Sequence, residues 1–303
     1  MHRRVLPLLM LFAFPLFAQR GLNWEIKNSG GGDAIAVNPM NPNSVYWMVD
    51  SFRVSYDRGH TWIARGPSQY SRGISVNPLD SNTLILAGYS GLQKSNDGGR
   101  SWRTTLQDVS IDGESLDWNY LHPDTAYFVD FPTSRFFMSA DTGSTWTELS
   151  VMPYGLTCAL AANPQHPNNI LVGAGNARIA RTLDGGKTWS LVRTGNDYFS
   201  EVPKIVWDPT DANTAYASIW SDDYFSFSKS TDAGATWFQL GIFGITTWGM
   251  EVDPVNGDLY LGTLGGPGQN YGFEPEGIFR SADGGQSWLR CGTFPSMFAT
   301  VKS

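Results

Sequence analysis

Two aspartates close equivalent apolar runs in this chain: Asp50 follows VYWMV and Asp130 follows AYFV. A pair of carboxylates can act on a glycosidic bond when they stand roughly 5–5.5 Å or 6.5–9.5 Å apart, for retaining and inverting chemistry respectively. The alternative is that each is a solvated or hydrogen-bonded loop acid. Residue types that suit sugars recur nearby in the loop segments. Trp220, Asp222, Asp223 and Tyr224 form one group, and Asn270, Tyr271 and Glu274 another. Tyr70, Arg72, Tyr154, Tyr198 and Trp248 lie in the segments between repeats. Aromatic faces stack on pyranose rings, while carboxylates and amides bond hydroxyls. Loops are polar in most proteins, and aromatic residues also seal junctions, so both readings stay open.

A different aspartate is repeated too regularly to be part of one active site. The octapeptides SYDRGHTW (55–62), SNDGGRSW (95–102), SADTGSTW (139–146), TLDGGKTW (182–189), STDAGATW (230–237) and SADGGQSW (281–288) share one pattern. It is Ser/Thr, any, Asp, any, Gly, any, Ser/Thr, Trp, at intervals of 40, 44, 43, 48 and 51 residues. An Asp in that place can accept backbone N–H groups of its own turn, and the Gly can supply a positive φ. Asp57, Asp97, Asp141, Asp184, Asp232 and Asp283 are therefore expected to be structural.

Each octapeptide follows a second pattern, such as AIAVNP…NSVYWM from Ala34 or GMEVDP…GDLYLGT from Gly249. Alternating apolar residues read as half-buried strands. The Pro after Asn or Asp cannot donate to a ladder and ends the first of them. Each repeat then reads strand, Asn/Asp-Pro turn, strand, loop, strand, octapeptide, strand. A period of 40–50 residues with four strands is one blade of a β-propeller. The fold class expected is all-β: a propeller with six recognisable four-stranded blades at about 34–66, 73–106, 113–150, 156–193, 203–240 and 248–292. Residues 21–28 resemble a fourth strand, and 294–303 resemble the start of a first strand. Together they predict parts of a closing blade in a seven-bladed ring whose last blade is incomplete; the alternative is a six-bladed ring with the terminal strands packed as an extra layer.

The octapeptides match the Asp-box, or bacterial neuraminidase repeat, and the coupled VNP…VYW motif resembles the sortilin-type subset of that family. The resemblance covers essentially all of residues 19–303. It implies a propeller whose boxes lie away from the ligand face, and it includes xyloglucan-degrading glycoside hydrolases, receptors and exported bacterial proteins. The stretch NWEIKNSGGGDAIAVNP…VYWMVD is similar to the opening blade of those hydrolases, and Asp50 falls where they carry an essential Asp. There the Asp is followed by a hydrophobic residue and two glycines, whereas SFR follows here. Their partner acid comes from a second propeller, for which this chain has no room. Sialidases share the box but need an arginine triad and an RIP-type sequence, which does not occur here; Arg53 and Arg72 alone are weak support. The resemblance thus implies a binding propeller for a glycan or an extracellular protein or peptide, with a glycoside hydrolase as the alternative.

The rest of the sequence bounds these readings. MHRR followed by VLPLLMLFAFPLFA reads as a signal peptide over 1–18, predicting a secreted or periplasmic protein. The run is too short to span a membrane, and none of that length follows. Without Arg3 and Arg4 the net charge moves from −7 to −9, which argues against nucleic acid and anionic membranes. Three histidines remain, His60, His122 and His166, all in turn segments, and no metal site is expected. No phosphate loop or nucleophile elbow occurs, so no cofactor is expected. Cys158 and Cys291 fall in different repeats, which favours two buried free thiols over a disulfide.

Overall fold

Period-2 apolar alternation and Asx-Pro turns fold each repeat into an antiparallel four-stranded sheet. The structure is a computed structural model. It describes residues 34–48, 51–66, 71–89, 91–111, 114–193, 200–221, 225–243, 246–264 and 277–292, with Leu6–Pro7 and Trp24–Glu25. Blade 1 comprises Ala34–Val37, Val45–Met48, Phe52–Ser55 and Ile63–Ala64. Blade 2 has Ser71–Val76, Leu84–Gly88, Gly91–Ser95 and Arg103–Leu106. Blade 3 has Leu116–Trp118, Ala126–Val129, Arg135–Ser139 and Thr147–Val151. Blade 4 has Thr157–Ala162, Ile170–Ala174, Arg178–Thr182 and Ser190–Arg193. Blade 5 has Ser200–Asp208, Asp211–Ser221, Phe225–Ser230 and Phe238–Phe243. Blade 6 has Thr246–Val252, Leu259–Leu264, Gly277–Ser281 and Leu289–Gly292.

Among the described residues the first strands pack on one another in succession from blade 1 to blade 6, so they form the inner wall of a propeller with six four-stranded blades. Antiparallel order then sorts the connections. The turns between first and second strands share one face with the octapeptides; the other loops open on the opposite face. The core lies between blades rather than within them. Tyr46, Met48, Phe52 and Val54 of blade 1 pack on Val76, Leu84 and Leu86 of blade 2. Val206, Tyr216 and Phe227 of blade 5 meet Met250, Val252, Leu259 and Leu261 of blade 6 in the same way. In blades 2 to 6 the register shifts once between third and outer strands, a bulge that adds twist.

Trp24–Glu25 pairs in parallel with Leu6–Pro7. The remainder of 21–28, the rest of the signal segment and all of 294–303 lie outside the described residues. Among the described residues no helix is long and apolar enough to cross a membrane.

Candidate functional site

The six octapeptides are built alike. The first hydroxyl, Ser55 Oγ in blade 1, donates to Asp57 Oδ1 at 2.7 Å and accepts the Gly59 N–H at 2.7 Å. Asp57 in turn accepts the Thr61 N–H at 2.8 Å and its hydroxyl at 2.7 Å. The same set recurs through Asp97, Asp141, Asp184, Asp232 and Asp283. Bonds from the Ser101 hydroxyl and amide hold Asp97 at about 2, and those from Thr61 hold Asp57 at about 2. Burial pushes the other way at Asp141 and Asp232, yet the turn bonds also bring these to about 2. A carboxylate that accepts this many donors from its own turn is held ionised and serves to close that turn.

In blade 4 the glycine and tryptophan of the octapeptide meet the neighbouring blade. Gly186 sits at φ +96, and a Cβ there would stand 2.1 Å from the Phe136 ring of blade 3. Trp189 lies edge-on to that same ring, with centroids 5.1 Å apart.

Of the two candidate acids, Asp50 lies outside the described residues. Asp130 is fully buried and committed to its own loop. It accepts the Ser110 N–H at 2.7 Å, Arg135 Nη2 at 3.1 Å and the Thr133 hydroxyl. Tyr154 is half-buried against the core between blades 3 and 4, and its carbonyl accepts Arg178 Nη1 at 3.3 Å. Arg72, Trp220 and Trp248 are placed in the first strand of blade 2, the second of blade 5 and the first of blade 6. Tyr70, Tyr198, Asp222, Asp223, Tyr224, Asn270, Tyr271 and Glu274 lie outside the described residues. Both cysteines are free, but only Cys158 is buried. Cys291 is exposed because it falls on the outer strand of blade 6, which corrects the expectation of two buried thiols.

A cluster that the sequence reading did not single out occupies the channel. Two and four residues before each turn Asn or Asp, the inner strands mostly carry small side chains: Ala34, Ala36, Gly73, Ser75, Ser115, Ala159, Ala161 and Gly249. The charged exceptions are Asp117, Lys204 and Glu251. Lys204 Nζ donates to Glu251 Oε1 at 2.8 Å and pairs with Glu114, which stands two residues before the blade 3 inner strand. Groups from blades 3, 5 and 6 can meet only at the centre of the ring. Asp117 joins blade 3 to blade 4 by accepting the Ala162 N–H at 2.9 Å, and it also accepts the Trp118 N–H at 2.8 Å.

Burial pushes Asp117 up to about 7, against the pull of its two N–H donors and Lys204. Burial likewise raises Glu251, with Lys204 opposing and Glu114 adding to the rise. Burial works against the Lys204 charge, but the two glutamates outweigh it and hold the ammonium ionised. Tyr120 is raised by burial and by the surrounding carboxylates. Asp117, Tyr120 and Glu251 nevertheless keep part of their surface accessible, as groups bordering an internal channel do. The arrangement can exchange protons near neutrality. Among the described residues no group of three or more His, Cys, Asp or Glu is placed to hold a metal ion.

No family model matches the chain. A xyloglucanase of Paenibacillus sp is 25% identical over 327 residues, covering 90% of this chain and 28% of that protein. The chain spans less than a third of the length of the xyloglucanases it matches. Among solved structures, the GH74 enzyme of Niastella koreensis superposes with a TM-score of 0.69 at 18% identity, over 86% of this chain and 45% of that one. A YCF48 bound to D1 peptide superposes with a TM-score of 0.60 at 15% identity, over 85% of this chain and 81% of that one. The chain is thus a glycoside-hydrolase-like β-propeller in architecture.

Proposed function

We propose that this chain is an exported propeller of the Asp-box, sortilin-type class that binds glycans on the face opposite the octapeptides. The observation that carries this reading is sequence similarity to a xyloglucanase along nine-tenths of the chain. The octapeptide carboxylates are taken up by their own turns, so the candidate residues are Trp220 and Trp248, in strands of blades 5 and 6, and Tyr154, in the loop before blade 4. Binding is favoured over hydrolysis because Asp130 is locked in its loop. A peptide in place of the glycan is a second reading, favoured by the likeness to a propeller whose structure holds a peptide over most of that chain's length.

The test is calorimetric titration of the purified protein with xyloglucan oligosaccharides and a broader glycan array, with reducing-sugar release followed in parallel. Binding without release supports the proposal. Release of reducing ends that depends on Asp50 supports the hydrolase instead. No binding to any glycan, with binding to members of a peptide panel that the variant Trp220→Ala abolishes, moves the reading to the peptide.

A further inference from the structure

The turns on the octapeptide face share a construction that points one residue of each blade at solvent. In every blade the turn Asn or Asp accepts, through Oδ1, the N–H of the residue two positions on. The donors are Met40, Leu79, Leu121, Gln165, Thr210 and Val255, at 2.8–3.0 Å. This places all six on equivalent crests around the channel. Four of the six are large and apolar, and all four are more than half exposed: Met40 60%, Leu79 65%, Leu121 56% and Val255 67%. A single exposed leucine is ordinary, but the same register filled on three consecutive blades is a surface. The crests of blades 1 to 3 are also held rigidly. Tyr46 Oη donates to the Ser81 carbonyl of the blade 2 turn at 3.1 Å, and Asn77 Nδ2 donates to the Pro123 carbonyl of the blade 3 turn. A pre-ordered platform loses little entropy when something docks.

The charge around the crests narrows what that can be. The turns contribute Asp80, Asp124, Asp208, Asp211, Asp253 and Asp258, and the octapeptides six more aspartates. The only lysines and arginines in those segments are Arg58, Arg100 and Lys187. Arg58 and Arg100 already donate to the Asn43 side chain and the Asp97 carbonyl, and Asp258 is paired with Arg280. Asp80 and Asp124 stand exposed beside Leu79 and Leu121. Such a field repels anionic lipid, and it repels a second copy presenting the same face. It attracts a partner with complementary charge. We propose that Met40, Leu79 and Leu121 form a docking surface for a protein partner that presents apolar side chains among lysines or arginines. The proposal concerns the face opposite the glycan loops and does not rest on the glycan reading.

The probe is a short fluorescent helical peptide with leucines on one face and lysines on the other, followed by anisotropy at low and high salt. Its counterpart carries glutamate for lysine. Wild type should bind the lysine peptide, more weakly as salt rises, and not the glutamate peptide. Met40→Ser/Leu79→Ser/Leu121→Ser should weaken binding about tenfold or more, and Asp80→Asn/Asp124→Asn should weaken it severalfold and flatten the salt dependence. The Met40, Leu79 and Leu121 side chains are exposed, so the triple variant should melt like wild type; Asp80 also accepts the Asn82 N–H and the Thr83 hydroxyl in its turn, so the double variant should melt slightly lower, and both should keep any glycan affinity. Undiminished binding by the triple serine variant overturns the proposal, since attraction would then be to charge alone. Flotation with phosphatidylglycerol vesicles, or self-association that the triple variant abolishes, would overturn it in favour of a lipid or a second copy.

Discussion

Lys204→Met keeps the bulk of the lysine stem and removes only the ammonium that joins Glu114 to Glu251. At about pH 8.5 the variant holds two carboxylates without their counter-charge, and breaking a buried pair this way costs roughly 3–5 kcal/mol. Glu114 is 37% exposed, so water screens its share and the lower end of that range applies. A domain of this size loses roughly 2–4 °C per kcal/mol, so the melting temperature should fall by roughly 6–12 °C. At about pH 5.5 the outcome differs, because Glu251 already binds its proton more tightly than a free glutamate and loses in the variant the charge that pulled it down. It takes up a proton, and the cost shrinks to a lost hydrogen bond, about 1 kcal/mol. The sign follows from linkage. Glu251 and Asp117 have folded-state pKa values raised above their unfolded ones. The stability they contribute is fullest below the unfolded values and is lost as pH rises toward the folded ones, more steeply for Glu251 without Lys204. Thermal melts of wild type, Lys204→Met and Lys204→Met/Glu251→Gln at both pH values test this. Equal losses at the two pH values, or no recovery from Glu251→Gln at high pH, would refute the reasoning.

Asp184→Ala should lower stability by roughly 1–3 kcal/mol through lost turn bonds while leaving glycan titrations unchanged; lost binding at a normal melting temperature would assign the octapeptide a ligand role. Gly186→Val should cost more, roughly 2–5 kcal/mol, by adding overpacking against Phe136 to backbone strain, as chemical denaturation would show. The octapeptide acids have folded-state pKa values below 3.8, so the stability they contribute is present above about pH 4 and lost as pH falls toward about 2; melts across that window should steepen downward, and a flat profile would contradict the turn geometry. Trp220→Ala and Trp248→Ala should each weaken oligosaccharide binding by roughly 1–2 kcal/mol through lost stacking; unchanged titration isotherms would remove these residues from the site.

What was legible in the sequence is what is local. Strand alternation, the Asx-Pro turn and the octapeptide each span fewer than ten residues, and the blades follow from their repetition. The channel cluster was not legible because Glu114 and Lys204 are 90 residues apart and meet only when the ring forms. A signal did exist: Asp117, Lys204 and Glu251 stand in register positions that the other blades fill mainly with alanine, glycine or serine. Asp130 shows the converse. Its position after AYFV leaves open a catalytic acid or a hydrogen-bonded loop acid, and it is Ser110, twenty residues upstream, that donates to its carboxylate. No local pattern carries that bond.

The sequence shows the octapeptide as a turn closed by its aspartate and glycine, and the structure adds a second role for its glycine and tryptophan. In blades 2, 4 and 6 a Cβ on the octapeptide glycine would strike a phenylalanine of the preceding blade: Phe52, Phe136 and Phe227. Each phenylalanine stacks on a tyrosine of its own sheet, Tyr46, Tyr127 and Tyr216. Trp102, Trp189 and Trp288 then meet the same rings edge-on. In blades 3 and 5 the glycine instead faces Ile85 and Leu171 of the preceding blade. The side chain that faces the glycine therefore alternates between an aromatic and an aliphatic one from blade to blade. In blade 1, Trp62 packs on Trp47 of its own blade, 5.2 Å away. The glycine is needed at blades 2 to 6 for the neighbour's side chain as much as for its own φ. A turn that only reversed the chain could be replaced by another of equal length; in blades 2 to 6 this one also seats its glycine against the preceding blade, a second duty that its own φ does not explain.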